Sequence, residues 1–171
     1  ISTSGNSANV NRAIEAAREL GRGEPDASRV HYNRGREFEG RGEFEAAMDA
    51  YRQAIDVYPR YAKARNNLGI LLARGGRVTE AIEEFERAIE SDPLVHESYL
   101  NLAALHRAQG RRAEAIALFE RALAVNPDQA TACFDLSQLY GASGDVEQAF
   151  HWLNRVVALD PGHGAAHQQL G

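Results

Sequence analysis

Residues 62–93 read "AKARNNLGILLARGGRVTEAIEEFERAIESDP". Counting Ala62 as slot 1, Leu68, Gly69 and Leu72 occupy slots 7, 8 and 11. Together with slot 4 they share one face of a helix that turns by about 100° per residue. Gly76 at slot 15 ends that helix, since glycine is the residue that leaves a helix in the left-handed conformation without penalty. Ala81, Phe85, Ala88 and Ile89 then line one face of a second helix at slots 20, 24, 27 and 28. Pro93 at slot 32 stops it, because proline lacks an N–H and forces its predecessor out of the helical region. Asn66-Asn67 is the feature that helix packing does not explain, since asparagine competes with the backbone for hydrogen bonds and is a mediocre helix former.

The same grammar recurs every 34 residues. All five prolines, Pro25, Pro59, Pro93, Pro127 and Pro161, are in one phase. Slot 15 holds Gly42, Gly76, Gly110 and Gly144; slot 20 holds Ala47, Ala81, Ala115 and Ala149. Slot 24 holds Tyr51, Phe85, Phe119 and Leu153, slot 27 holds Ala54, Ala88, Ala122 and Val156, and slot 8 holds Gly35, Gly69, Ala103 and Ser137. Small residues at slots 8, 20 and 27 let paired helices approach, and the large residue at slot 24 fills the space between them. One pair cannot bury its faces alone, so neighbours must stack. Departures occur at His31 and Arg34 (slots 4 and 7), His106 (slot 11) and Ser137 (slot 8).

Period, turn glycine, alanine slots, aromatic slot and proline together resemble the tetratricopeptide repeat (TPR) family. The resemblance implies an all-α fold, a right-handed α-α superhelix, or TPR solenoid, of antiparallel helix pairs. It covers four repeats, 28–61, 62–95, 96–129 and 130–163. Residues 1–9 are expected to be disordered or extended, 10–27 to form the helix of a partial preceding repeat, and 164–171 to begin a truncated fifth. The chain thus reads as a fragment, or as an array that more helix once followed.

Composition narrows function by exclusion. The net charge of -5 gives no footprint for nucleic acid. No apolar run reaches the length a membrane helix needs, and the N-terminus lacks the basic start and apolar centre of a signal peptide. The expectation is a soluble protein of the bacterial cytoplasm or periplasm. Eighteen arginines against one lysine, Lys63, are scattered over the whole chain; codon bias in a GC-rich genome accounts for that better than a basic patch. Cys133 is the single cysteine; at core slot 4 it reads as a buried, inert thiol. Trp152 at slot 23 reads as helix cover. The Glu-rich run 80–90 has the spacing of a solvated helix face rather than of catalytic carboxylates. His163 and His167 have the spacing of two metal ligands but no third nearby, which favours a structural role. No phosphate loop, nucleophile elbow or zinc-protease motif is present. The reading is therefore non-catalytic, with no cofactor and no metal.

What remains is the other face of each first helix, at slots 2, 5, 6, 9, 12 and 13. It offers Arg29, Tyr32, Asn33, Arg36 and Glu39; then Lys63, Asn66, Asn67, Ile70 and Arg74; then Glu97, Leu100, Asn101, Ala104 and Arg107; then Thr131, Phe134, Asp135 and Gln138. The TPR resemblance implies that these helices line a concave groove that holds peptides or partner helices. Five basic residues (Arg29, Arg36, Lys63, Arg74, Arg107) against three acidic ones (Glu39, Glu97, Asp135) favour a neutral to acidic partner segment.

Slot 6 repeats as Asn33, Asn67, Asn101 and then Asp135, with Gln169 following. An amide both donates and accepts, so such a column can track an extended backbone. It is similar to the asparagine ladder in the TPR region of O-linked N-acetylglucosamine transferases, although Asn at this slot is also general TPR consensus. The alternative role is bonding between neighbouring helices. The carboxylate clamp of chaperone-binding TPR domains, with Lys, Asn, Asn, Lys and Arg across three repeats, is matched at one position of five. No chaperone-tail binding is expected.

The sequence therefore points to a non-catalytic interaction module or scaffold. Two alternatives stand beside it: the substrate-recruiting segment of a larger enzyme such as a glycosyltransferase, and a scaffold that self-associates through its unfinished ends.

Overall fold

The four positive-φ glycines that follow a first helix, Gly42, Gly76, Gly110 and Gly144, have φ of 77°, 78°, 74° and 80°. At each, the N–H of the next residue bonds back to the slot 11 carbonyl: Glu43 to Phe38, Arg77 to Leu72 and Arg111 to His106 at 2.9 Å, and Asp145 to Tyr140 at 3.0 Å. This six-residue closure satisfies a carbonyl the helix leaves open. It reverses the chain in three residues, so consecutive helices run antiparallel.

The computed structural model describes residues 26–171. The expected segment 1–9 and most of the helix expected over 10–27 lie outside the described residues. Among the described residues there are nine helices and no strand, so the fold is all-α as expected. They are α1 (Asp26–Gly40), α2 (Phe44–Val57), α3 (Ala62–Arg74), α4 (Val78–Ser91), α5 (His96–Ala108), α6 (Arg112–Val125), α7 (Ala130–Ala142), α8 (Val146–Leu159) and α9 (Gly164–Leu170). None of these helices is long and apolar enough to cross a membrane.

The chain divides within α5 into two compact units, one ending at Asn101 and the other starting at Leu102. In the first unit α1 packs on α2, α2 on α3 and α3 on α4; in the second α6 packs on α7, α7 on α8 and α8 on α9. The slot grammar explains each core. Tyr51, Phe85, Phe119 and Leu153 are buried at slot 24, with the slot 20 and 27 alanines buried around them. Burying each large side chain contributes about 1.5–3 kcal/mol. Glycine at slot 8 is a matter of space: a Cβ on Gly35 would lie 2.6 Å from the Tyr51 ring, and one on Gly69 would lie 2.7 Å from the Phe85 ring.

The departures from the pattern find individual solutions. Arg34 is exposed, with its guanidinium 5.3 Å from the Phe38 ring centroid. Arg65, a charge on core slot 4, bonds the Pro59 carbonyl through Nε and Nη2 at 2.9 and 2.8 Å and pairs with Glu84 at 2.7 Å. It thereby ties the α2–α3 loop to α4. Ser137 returns its hydroxyl to the Phe134 carbonyl at 2.6 Å.

Candidate interaction site

In the first unit, the face on slots 2, 5 and 6 is organised by a chain of hydrogen bonds that begins at Glu39 on α1. The Tyr51 hydroxyl donates to Glu39 Oε2 at 2.8 Å. A carboxylate only accepts, so the proton lies toward Glu39 and the phenol oxygen is left as an acceptor. Asn67 Nδ2 donates to that oxygen at 3.2 Å and to the Tyr32 hydroxyl at 3.4 Å. Asn67 Oδ1 accepts from Asn66 Nδ2 at 3.4 Å. Asn66 Oδ1 accepts from Ser98 Oγ at 3.1 Å and from Asn101 Nδ2 at 3.0 Å. One carboxylate thus sets the direction of every amide in the chain, across α1, α2, α3 and α5. Burial of the Tyr51 phenol, followed by the adjacent Glu39, holds its pKa well above the ordinary value.

The asparagines of slots 5 and 6 are therefore not equivalent. Asn66 is 93% buried, with 7% relative exposure, and acts as a junction between helices. Asn67 is half-buried and has directed both N–H groups inward, so its remaining capacity is the second lone pair of the oxygen that accepts from Asn66. Asn101 is half-buried with one N–H directed to Asn66. Asn33 is exposed.

Beside this chain lies a cleft of about 520 Å³ lined by Tyr32, Lys63, Asn66, Asn67, Asp92, Leu94, Val95, His96 and Glu97. Five residues of the face read from the sequence, Tyr32, Lys63, Asn66, Asn67 and Glu97, come together here. Asp92, Leu94, Val95 and His96 do not belong to the first-helix slots. Asp92, Leu94 and Val95 come from the α4–α5 connection and His96 opens α5; the Asp-Pro pair at 92–93 is the one sequence mark of that connection. Asp92 Oδ1 accepts from the Leu94 N–H at 3.0 Å, which shapes that connection. Tyr32, the one tyrosine of the lining, packs at a tilt against the buried rings of Tyr61 and Tyr51 at centroid distances of 5.1 and 5.7 Å.

Other candidates are occupied elsewhere. Arg29 pairs with Asp26 at 2.7 Å. Arg74 lies 5.6 Å from the Phe44 ring centroid. Arg36 is exposed, and Ile70 and Leu100 are half-buried, outside the cleft lining. A smaller concavity of about 330 Å³ in the same unit contains Arg65, Glu84 and Arg87. These charges close on one another, with Arg87 3.0 Å from Glu84.

In the second unit Arg107 pairs with Asp135. Burial outweighs that guanidinium and leaves the Asp135 carboxyl pKa above its ordinary value. Phe134 stacks on His163 at 4.8 Å, and Gln138 donates to Gln169 at 2.8 Å. The two histidines of the suggested metal pair serve the backbone around α9. His163 Nδ1 accepts from the Ala166 N–H at 3.2 Å, and His167 Nε2 lies 2.9 Å from the Pro161 carbonyl. Among the described residues no three His, Cys, Asp or Glu side chains are grouped to hold a metal ion. Cys133 is buried, which raises its thiol pKa against the opposing effect of Arg155.

Sequence profiles described as tetratricopeptide repeat match residues 6–52 and 32–95, and another of the same description matches 106–170. No curated protein matches the sequence. Among solved structures, MamA is 23% identical with a TM-score of 0.75, covering 84% of this chain and 78% of that one. YrrB, described as a TPR protein with an unusual peptide-binding site, is 20% identical with a TM-score of 0.69, over 95% of this chain and 85% of that one. The first TPR of Spaghetti, solved with the HSP90 peptide SRMEEVD, is 20% identical with a TM-score of 0.65, over 70% and 94%.

Proposed function

Because the chain belongs to the tetratricopeptide repeat family, we propose that it is a non-catalytic interaction module that holds a peptide or partner segment on the first-helix face. The observation that carries this reading is the cleft of the first unit. Asn66 and Asn67 in its lining are held in orientation by the Glu39-to-Asn101 chain, and Leu94, Val95 and Tyr32 lie in the same lining. Pre-oriented polar groups together with apolar ones are the composition of a recognition site. Orientation fixed in advance lowers the cost of ordering on binding. YrrB and Spaghetti, whose descriptions name a peptide-binding site and a bound peptide, support the same reading. Tyr51, Tyr140, Cys133 and Asp135 owe their raised pKa first to burial within the helical packing, and no reaction is assigned to them. In the second unit, Phe134, Asp135 and Gln138 are proposed to contribute to partner contact in the same way.

The test is to pan a random dodecapeptide library, displayed on phage, against the whole chain and against an Asn101→Ala, Leu94→Ala variant whose helicity is verified by circular dichroism. The expected result is at least a tenfold fall in recovered phage. Equal recovery from a folded variant would remove the cleft from the reading.

A further inference from the structure

The direction of the hydrogen-bond chain has a consequence for what the cleft takes. Asn101 donates to Asn66, Asn66 to Asn67 and Asn67 to Tyr51, whose hydroxyl donates to Glu39. Asn67 has spent both N–H groups on Tyr51 and Tyr32, so what it brings to the cleft lining is its oxygen, which accepts once from Asn66 and has a second lone pair. Two carboxylates, Asp92 and Glu97, join it in the lining, against the single ammonium of Lys63. Asp92 uses one oxygen on the Leu94 N–H, and a carboxylate has capacity for more. Glu97 lies 3.2 Å from His96 Nδ1 and keeps 57% of its side chain exposed. The positive balance counted over the slots does not reach this cleft, since Arg29, Arg36 and Arg74 are outside its lining and Arg107 pairs with Asp135 in the other unit. The same lining holds Leu94, Val95 and Tyr32.

We infer that this cleft takes a partner segment in which a lysine or arginine stands next to a large apolar residue. The cation meets Asp92, Glu97 and the Asn67 oxygen, while the apolar side chain lies against Leu94, Val95 and Tyr32. A guanidinium, with five donors and no acceptor, is the complement of a lining that offers acceptors. The inference rests on the cleft reading above and reverses the neutral-to-acidic preference that the slot count suggests.

The experiment uses the same displayed dodecapeptides, panned on the whole chain and on an Asp92→Asn, Glu97→Gln variant. Asn at 92 keeps an oxygen for the Leu94 N–H, so the connection is retained while both charges go. The expected wild-type selection is enriched in Lys or Arg beside Leu, Ile, Phe, Met or Trp. A selected peptide, synthesised with a fluorophore, should bind the variant about tenfold more weakly by anisotropy at low salt, with a smaller salt dependence. Selection of acidic or uncharged sequences that still depend on Asn101 and Leu94 would leave the cleft reading standing and overturn the inference. Equal affinity for the charge-removed variant would also overturn it. Failure of the wild type to enrich any sequence over background would overturn both.

Discussion

Replacing Asn66 with alanine tests the hydrogen-bond chain at its junction. Asn66 is almost wholly buried and accepts from Ser98 Oγ at 3.1 Å and Asn101 Nδ2 at 3.0 Å. Each such neutral bond contributes about 1 kcal/mol net. The variant also leaves the hydroxyl of Ser98, itself fully buried, without this partner. Alanine returns about 0.5 kcal/mol in helix propensity. The balance is a loss of about 2 kcal/mol, or about 1 M in the midpoint of urea unfolding for a slope near 2 kcal/mol per M. A double-mutant cycle with Ser98→Ala isolates the pair and should return a coupling of about 1 kcal/mol. A midpoint shift below about 0.3 M, or additivity within about 0.3 kcal/mol, would mean that Asn66 is not a structural junction and that the chain's direction is not fixed in this way.

Three other substitutions and one ligand make further checks. Gly69→Ala gains about 1 kcal/mol of helix propensity but drives a methyl to 2.7 Å from the Phe85 ring. A net loss of about 1 kcal/mol is expected in thermal unfolding, and Ala103→Gly at the equivalent buried slot should also destabilise. Arg65→Met removes the pair with Glu84, whose two side chains are each 13% exposed, and both bonds to Pro59. Because Glu84 keeps Arg87, a loss of about 2–3 kcal/mol is expected in urea unfolding. Asp135 has a raised folded pKa, so the folded state binds its proton more readily than the unfolded chain does. Wild-type stability relative to Asp135→Asn should therefore rise as pH falls through that raised value toward the ordinary carboxylate range, as read by urea midpoints across acid pH. The peptide SRMEEVD, bound by the first TPR of Spaghetti, should show no micromolar binding in titration calorimetry, because Glu97 stands where a clamp needs lysine.

The sequence by itself determined the helix pair. A turn glycine, alanines at slots 20 and 27 and a large residue at slot 24 recur with one period. Hydrophobic patterning and chain reversal are local properties, so they can be read along the chain. The slot pattern also brought Tyr32, Lys63, Asn66 and Asn67 into one candidate face. It could not tell which asparagine is a junction and which faces the cleft, because that depends on Tyr51, Ser98 and Asn101, which lie 15 to 35 residues away and on other helices. It likewise assigned Arg29, Arg74 and Arg107 to a basic face, because a slot number does not show that Asp26, the Phe44 ring and Asp135 already hold them. Tertiary structure decided the rest: the α4–α5 connection supplies Asp92, Leu94 and Val95 to the cleft. The acceptor-only carboxylate of Glu39, at the end of the chain of hydrogen bonds, fixes which way every amide in it points.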